Sequence, residues 1–246
     1  MEGTIMDSDK TILITGAAKG IGAGLVNTFL ERGYNVVAVS RQISVGRPFV
    51  ASDKLALVEG DVGDAATARR SAETARERFG SIDALVNNAG IYFTKPFLDY
   101  TIDDFRKLSA TNVDGFLLMS QAAVKQMIGQ KSGGSIVSIS ASLADHPIAR
   151  VNASVAMITK GGINSATRNL AIEFAREKIR FNAVAPGTVD TSMHDGASTA
   201  DVEMRSPMGT VSKIQEIVDA VVYLTEAPNV TGEVLHVDGG AHVGKW

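Results

Sequence analysis

Three glycines with fixed spacing, Gly16-x-x-x-Gly20-x-Gly22, follow a short apolar run that ends at Thr15. Small residues at such a strand-to-helix turn let the backbone approach a phosphate, and the helix that follows supplies N–H groups and a positive dipole. The candidate contacts to a dinucleotide pyrophosphate are Gly16, Ala18, Lys19, Gly20, Ile21 and Gly22. The spacing differs from the more usual Gly-x-Gly-x-x-Gly, and the competing reading is a turn that only needs flexible residues to open a helix. A second apolar run ends Val39-Ser40-Arg41. Chains that prefer NAD usually place a carboxylate here for the ribose 2′-hydroxyl. This one has a hydroxyl and then a guanidinium, with Lys19 near the same point of such a fold. Two cations favour a 2′-phosphate, which arginine grips with a forked pair of hydrogen bonds. The expected cofactor is NADP(H), ahead of NAD(H); the bland alternative is a pair of solvated turn residues.

The composition removes several other chemistries. There is no cysteine, so disulfides, thiolate catalysis and cysteine metal sites are excluded, and no metal site is expected. A net charge of -3 gives no nucleic-acid footprint. The stretch Met1–Lys10 is polar and acidic, without the apolar centre of a signal peptide. No apolar run approaches the roughly 20 residues needed to cross a bilayer. The expectation is a cytoplasmic protein that meets neither membrane nor nucleic acid.

The elements that must position these residues alternate between short apolar runs and longer amphipathic stretches, the pattern of a parallel sheet covered by helices. Strands are expected at Thr11–Thr15, Asn35–Val39, Leu55–Glu59, Ala84–Asn87, Ser135–Ser140, Arg180–Ala185 and Glu233–Val237. Helices are expected at Ile21–Arg32, Ala65–Phe79, Asp103–Gln130 (broken near Asn112), Val155–Glu177 and Ile214–Leu224. The strands are nearly continuous in apolar residues, as strands buried on both faces should be. The fold class is therefore α/β: one Rossmann domain spanning 1–246, with a doubly wound seven-stranded parallel sheet. A flap is expected at about 187–213, with a short helix at Thr199–Met204.

With Asn87-Asn88-Ala89-Gly90 closing the fourth strand, the chain resembles the short-chain dehydrogenase/reductase family of classical type, from Thr11 to about Gly240. Further matches are Asp61-Val62, Thr111-Asn112-Val113-Asp114-Gly115 and Pro186-Gly187. The resemblance implies that Asp61 bonds the adenine amino group, with Val62 supplying its backbone. It implies that Asn87, Asn88, Ala89 and Gly90 form the wall beside the ribose, and that Lys160 holds the nicotinamide ribose. Pro186, Gly187, Val189 and Thr191 would face the carboxamide, and Asn112 would anchor a water in the proton relay.

The same resemblance exposes a gap. The family places a tyrosine four residues before the lysine, on one helix face, to protonate the nascent alkoxide. Here the run is Ala156-Met157-Ile158-Thr159-Lys160, so the tyrosine slot holds Ala156. None of Tyr34, Tyr92, Tyr100 and Tyr223 stands four residues before a lysine. Losing a general acid costs roughly 10²–10⁴ in rate, while orientation of the reactants contributes separately. The family serine is displaced too: counting back from position 156 lands on Leu143 and counting along the strand lands near Ala141, so Ser142 is the expected residue, flanked by Ser140. The replacement proton could come from Tyr92, His146, Ser154 or a water held by Lys160 and Asn112.

The expected function is an NADP(H)-dependent oxidoreductase resembling 3-oxoacyl-thioester reductases, acting on a small carbonyl or secondary alcohol. The alternatives are a catalytically silent NADP(H)-binding regulator or partner subunit, a tyrosine-to-alanine inactive variant, or a lyase or isomerase with a structural dinucleotide. The two long helices carry surplus apolar residues (Phe116, Leu117, Leu118, Met119; Ile163, Leu170, Ile172, Phe174). In the family they pair across a two-fold axis, which implies a homotetramer or homodimer.

Overall fold

The computed structural model describes residues 10–44, 49–191 and 206–244. Seven strands form one sheet in the order β3-β2-β1-β4-β5-β6-β7. They are β1 (Thr11–Thr15), β2 (Asn35–Ser40), β3 (Leu55–Glu59), β4 (Ala84–Asn87), β5 (Gly134–Ile139), β6 (Ile179–Pro186) and β7 (Val234–Val237). Every pairing between them is parallel. The order reverses between β1 and β4, and the carboxyl ends of the strands flanking such a reversal open a crevice for ligands.

Side-chain alternation explains why the strands read as unbroken apolar runs. Ile12 and Ile14 of β1 enter one core layer and Leu13 enters the other, all fully buried. The first layer is closed by Leu25, Val26 and Phe29 of α1 (Gly20–Glu31) and by Ile217, Val218 and Val221 of α6 (Ile214–Glu226). The second is closed by Ala68 and Ala75 of α2 (Ala65–Phe79), by Met119, Ala123 and Met127 of α4 (Gly115–Gln130), and by Ala171 of α5 (Ser154–Glu173).

Local chemistry sets the helix ends. The Asp64 carboxylate accepts the Ala66 N–H at 2.9 Å to open α2, and Gly80, at φ 85°, closes it. Thr101 and Asp104 cap each other at the start of α3 (Ile102–Ser109). The break expected near Asn112 is a single wide π turn, Ala110–Asp114, that joins α3 to α4 without leaving helical dihedrals. The helix expected to reach Glu177 stops at Glu173: Phe174 leaves the helical dihedrals (φ -103°, ψ 14°), and the chain then turns back at Lys178 (φ 58°), where the Ile179 N–H meets the Phe174 carbonyl.

Of the expected flap, residues 187–191 are bridged to 206–213 through the Val189 and Ser212 pairing. The short helix expected at Thr199–Met204 lies outside the described residues.

Candidate active site

The glycine loop is braced before any ligand is considered. Thr15 Oγ1 accepts the N–H groups of Asn88 and Ala89, both at 3.0 Å. The Asn88 amide donates to the carbonyls of Thr15 (2.9 Å) and Gly16 (3.2 Å). Asn88, expected at the ribose wall, thus spends its side chain on the loop. Gly16 has φ 64°, and a Cβ there would stand 2.9 Å from the Ala89 Cα. A Cβ on Gly22 would overlap the Gly16 carbonyl oxygen. Both glycines are therefore required by close backbone approach. Lys19 is exposed just ahead of α1, and the Ala17 N–H ties the loop to Val39 beside Ser40 and Arg41. Arg41 reaches the Asp61 carboxylate at 4.0 Å, with both side chains at least half exposed. Asp61 also accepts the Gly63 N–H (2.9 Å), and Val62 is buried where Gly115 lets the helix close over it.

On the other side of the crevice, the π turn aims Asn112 inward. Its Oδ1 accepts the Ile91 N–H at 2.9 Å, and its Nδ2 donates to the Ile91 carbonyl (3.1 Å) and to Thr159 Oγ1 (3.0 Å). Thr159 Oγ1 in turn donates to the Ala156 carbonyl at 2.7 Å. Lys160 Nζ donates to the Ile139 carbonyl at 2.7 Å, and burial pushes its pKa down to about 8. A Cβ on Gly90 would meet Lys160 Nζ at 3.2 Å and Asn112 Oδ1 at 3.4 Å, so all three residues converge. Beneath them lies a void of about 10 Å³, bounded among others by Thr15, Asn87, Asn112 and Lys160. A buried water needs roughly 10–15 Å³ and two to four polar partners, so the space suits one.

Ala156 is 1% exposed. It packs with Leu108 and Val155, and Ile91, Tyr92 and Phe93 cover this group. Tyr92 is therefore part of the apolar surround of the group that holds the alanine. His146 is elsewhere, against His236 and His242 with ring centroids 5.6 and 5.7 Å away. Ser154 is exposed at the first position of α5. The serines are both engaged away from the lysine head: Ser140 Oγ donates to the Lys160 backbone carbonyl (3.3 Å), and Ser142 Oγ donates to Asp238 (2.5 Å).

Pro186 ends β6, and the Gly187 N–H donates to the Val237 carbonyl at 3.0 Å. A Cβ on Gly187 would stand 2.8 Å from the Asp238 Cβ, so glycine is needed where the two strands end. Val189 is 5% exposed and its side chain belongs to the core. Thr191 Cγ2 lies 3.8 Å from the position of a Cβ on Gly20, which joins this segment to the glycine loop.

Asp238, a residue that sequence reading passed over, gathers several of these parts. It accepts from Ser142, from the backbone of Gly240 (3.0 Å) and His242 (2.9 Å), and pairs with His242 Nδ1 at 2.9 Å. Burial works to raise its pKa, but the bonds from Ser142 and His242 hold it below the usual carboxylate value. His236 stacks on His242 at 4.1 Å and lies 3.8 Å from Asp145. Burial, then His242, lowers the His236 pKa. Asn164 donates to the same Asp145 at 2.8 Å.

A family model described as enoyl-(acyl carrier protein) reductase matches residues 16–242. The chain is 33% identical to the 3-oxoacyl-[acyl-carrier-protein] reductase of Mus musculus, over 94% of this chain and 98% of that one. It is also similar to the crystal structure of 3-ketoacyl-(acyl-carrier-protein) reductase from Brucella melitensis complexed with NADH, with a TM-score of 0.87 and 30% identity over 95% of this chain and 98% of that one. A third likeness is to ElxO with NADP bound, with a TM-score of 0.88 and 28% identity over 96% of this chain and all (100%) of that one.

Proposed function

This chain belongs to the short-chain dehydrogenase/reductase family of oxidoreductases, and we propose that it transfers hydride between NADP(H) and a small ketone or secondary alcohol. The observation that carries this reading is the convergence of Lys160 Nζ, Asn112 Oδ1 and Gly90 over a water-sized void, opposite a braced glycine loop.

The residues fit a dinucleotide. In this reading Gly16, Ala18, Lys19, Gly20, Ile21 and Gly22 cradle the pyrophosphate with backbone N–H groups. Ser40, Arg41 and Lys19 meet the 2′-phosphate; Arg41 exchanges its long contact with Asp61 for that charge. Asp61 and Val62 border the adenine, Asn88 fixes the loop that Ala89 and Gly90 complete, and Pro186, Gly187, Val189 and Thr191 border the carboxamide. Relatives with NADH and with NADP are both known, so the preference for NADP(H) rests on Lys19, Ser40 and Arg41 alone.

Reduction of a carbonyl needs a hydride at carbon, which the nicotinamide supplies, and a proton at oxygen. Ala156 has no proton to give. We assign the proton to a water in the void, oriented by Asn112 and replenished by Lys160. Burial keeps that ammonium near pKa 8, acidic enough to act near neutrality. Ser142 serves as a positioning residue through Asp238. We further read residues 1–246 as one catalytic domain with a flap at about 187–213, working as a homotetramer or homodimer.

The test is deuteride transfer from the reactive face of 4-deuterated NADPH into a panel of ketones and 3-oxoacyl thioesters, read by mass spectrometry. Deuterium at the carbinol carbon of any product is the expected result. No label anywhere, with NADPH binding verified in the same sample, would replace this reading with that of a silent nucleotide binder.

A further inference from the structure

A second cavity, of about 210 Å³, opens beside the candidate site and is lined by Tyr92, Thr94, Lys95, Pro96, Arg150, Val151 and Asn152. It is smaller than the roughly 300–1,000 Å³ of pockets that take drug-sized ligands, so it suits one end of a small molecule. Its position follows from Tyr92, which lines it and also packs against the cluster that holds Ala156. A substrate extending away from the alanine therefore runs past Tyr92 into this space.

The lining is one-sided in charge. It offers two cations, hydroxyls and an amide, and no carboxylate. Lys95 is already neutralised: its Nζ bonds both oxygens of Asp104, at 2.9 and 2.8 Å, and holds that carboxyl down at about 2. Arg150 has no hydrogen-bond or ion-pair partner among the described residues, and it is held at φ 68°, a conformation uncommon for a residue with a side chain. The segment that carries it is anchored on both sides, by Val151 N–H to the Ile148 carbonyl (3.2 Å) and by Lys95 N–H to the Asn152 carbonyl (3.2 Å). The result is one uncompensated guanidinium at the rim of a donor-rich cavity. A guanidinium fork matches a carboxylate or phosphate with two charge-assisted bonds, whereas a neutral ester offers it only a weaker, uncharged acceptor.

We propose that this cavity selects substrates bearing an anionic oxygen group, with Arg150 as its counterion and Tyr92 as the wall that guides the chain from the reacting carbon. The inference rests on the reductase reading for its kinetic test and stands apart from it for its binding test. Matched pairs separate the charge from the shape: 4-oxopentanoate against its methyl ester, and dihydroxyacetone phosphate against dihydroxyacetone. The expected result is a KM at least tenfold lower for the anion of one pair, a preference that fades as salt rises because the arginine is exposed. Arg150→Gln should erase the preference while leaving kcat, the neutral partner's KM and NADPH affinity within twofold. Equal KM values within both pairs, or an Arg150→Gln variant that weakens anion and neutral partner alike, would overturn the proposal.

Binding of 4-oxopentanoate and of dihydroxyacetone phosphate to the NADP⁺-loaded protein, followed by saturation-transfer NMR, reads the cavity without turnover. Retention of either anion by the wild type and its loss in Arg150→Gln supports the cavity even where no deuterium is transferred, in which case the reductase reading alone fails. No binding of either anion to the wild type overturns the cavity even where neutral ketones turn over.

Discussion

Lys160, to which we assign a part in the chemistry, weakens the fold that holds it. Its ammonium is buried with one carbonyl partner, and the burial lowers its pKa to about 8 from an ordinary 10.5. Between those two values the unfolded chain binds more protons than the native one, so stability rises with pH across the window and the cost is fully present below it. Lys160→Met keeps the shape and removes the charge. It should raise the melting temperature at pH 7 by a few degrees while weakening NADPH binding at least tenfold. Thermal melts and nucleotide fluorescence check both, and a variant that melts lower would mean the lysine is a net stabiliser. Residues whose neighbours in space are neighbours in sequence were legible without coordinates: the glycine loop and Asn87-Asn88-Ala89-Gly90 are contiguous strings. Asp238 was not, because its partner Ser142 is 96 positions away, and no periodicity links an isolated carboxylate to an isolated hydroxyl. Arg150 and Lys95 were hidden for the same reason. Ser142 was expected to take part in catalysis, and only packing shows that its hydroxyl faces Asp238.

At the scale of elements, strands were the most legible part, since a strand buried on both faces must be apolar throughout. Thr11–Thr15 and Ala84–Asn87 fall where their apolar runs fall. The π turn at Ala110–Asp114 was visible only as an irregularity near Asn112, because one extra residue in a turn leaves no compositional trace. The stack at the end of β7 was invisible as a unit. His236 on the strand, His242 beyond it and His146 on the loop after β5 meet around Asp238 and Asp145. The native pKa of His236 lies below the ordinary 6.5, so the unfolded chain takes up protons first as the pH falls through that value, and stability drops with it. Asp238 acts in a different window: its stabilisation is present above 3.8 and is lost only as the pH falls below it. His236→Gln should therefore flatten the decline in melting temperature between pH 7 and 5.5 and leave the steeper loss below pH 4 in place. Identical profiles for both proteins in the upper range would remove His236 from the account.

At the scale of the molecule, the sheet order and the two core layers match the expected doubly wound architecture, and no helix among the described residues is long and apolar enough to cross a membrane. The surplus apolar residues sort into three groups once packed, with Leu118, Leu170 and Phe174 half-buried against the second core layer. Phe116, Met119 and Ile163 are buried, while Leu117 is 48% exposed and Ile172 is 80% exposed. Ile128 and Ile158 join the exposed group along the same pair of long helices, and Val113 on the π turn before them. Apolar area left exposed on these helices is what the proposed pairing with another copy would cover. Light scattering should report a dimer or tetramer, and Leu117→Glu combined with Ile172→Glu should halve the mass or reduce it further. A monomeric wild type would end that proposal. The meeting of β7 with the loop after β5 also has a consequence for biosynthesis. Ser142 and Gly187 gain their partners Asp238 and Val237 only after residues 237 and 238 have been translated. On the ribosome, the braced turn that joins β1, β4 and the glycine loop can form early, whereas the segments around 142 and 187 stay unfinished until β7 emerges. A nascent chain stalled before residue 234 would then leave the segments around 142 and 187 open to cleavage by protease.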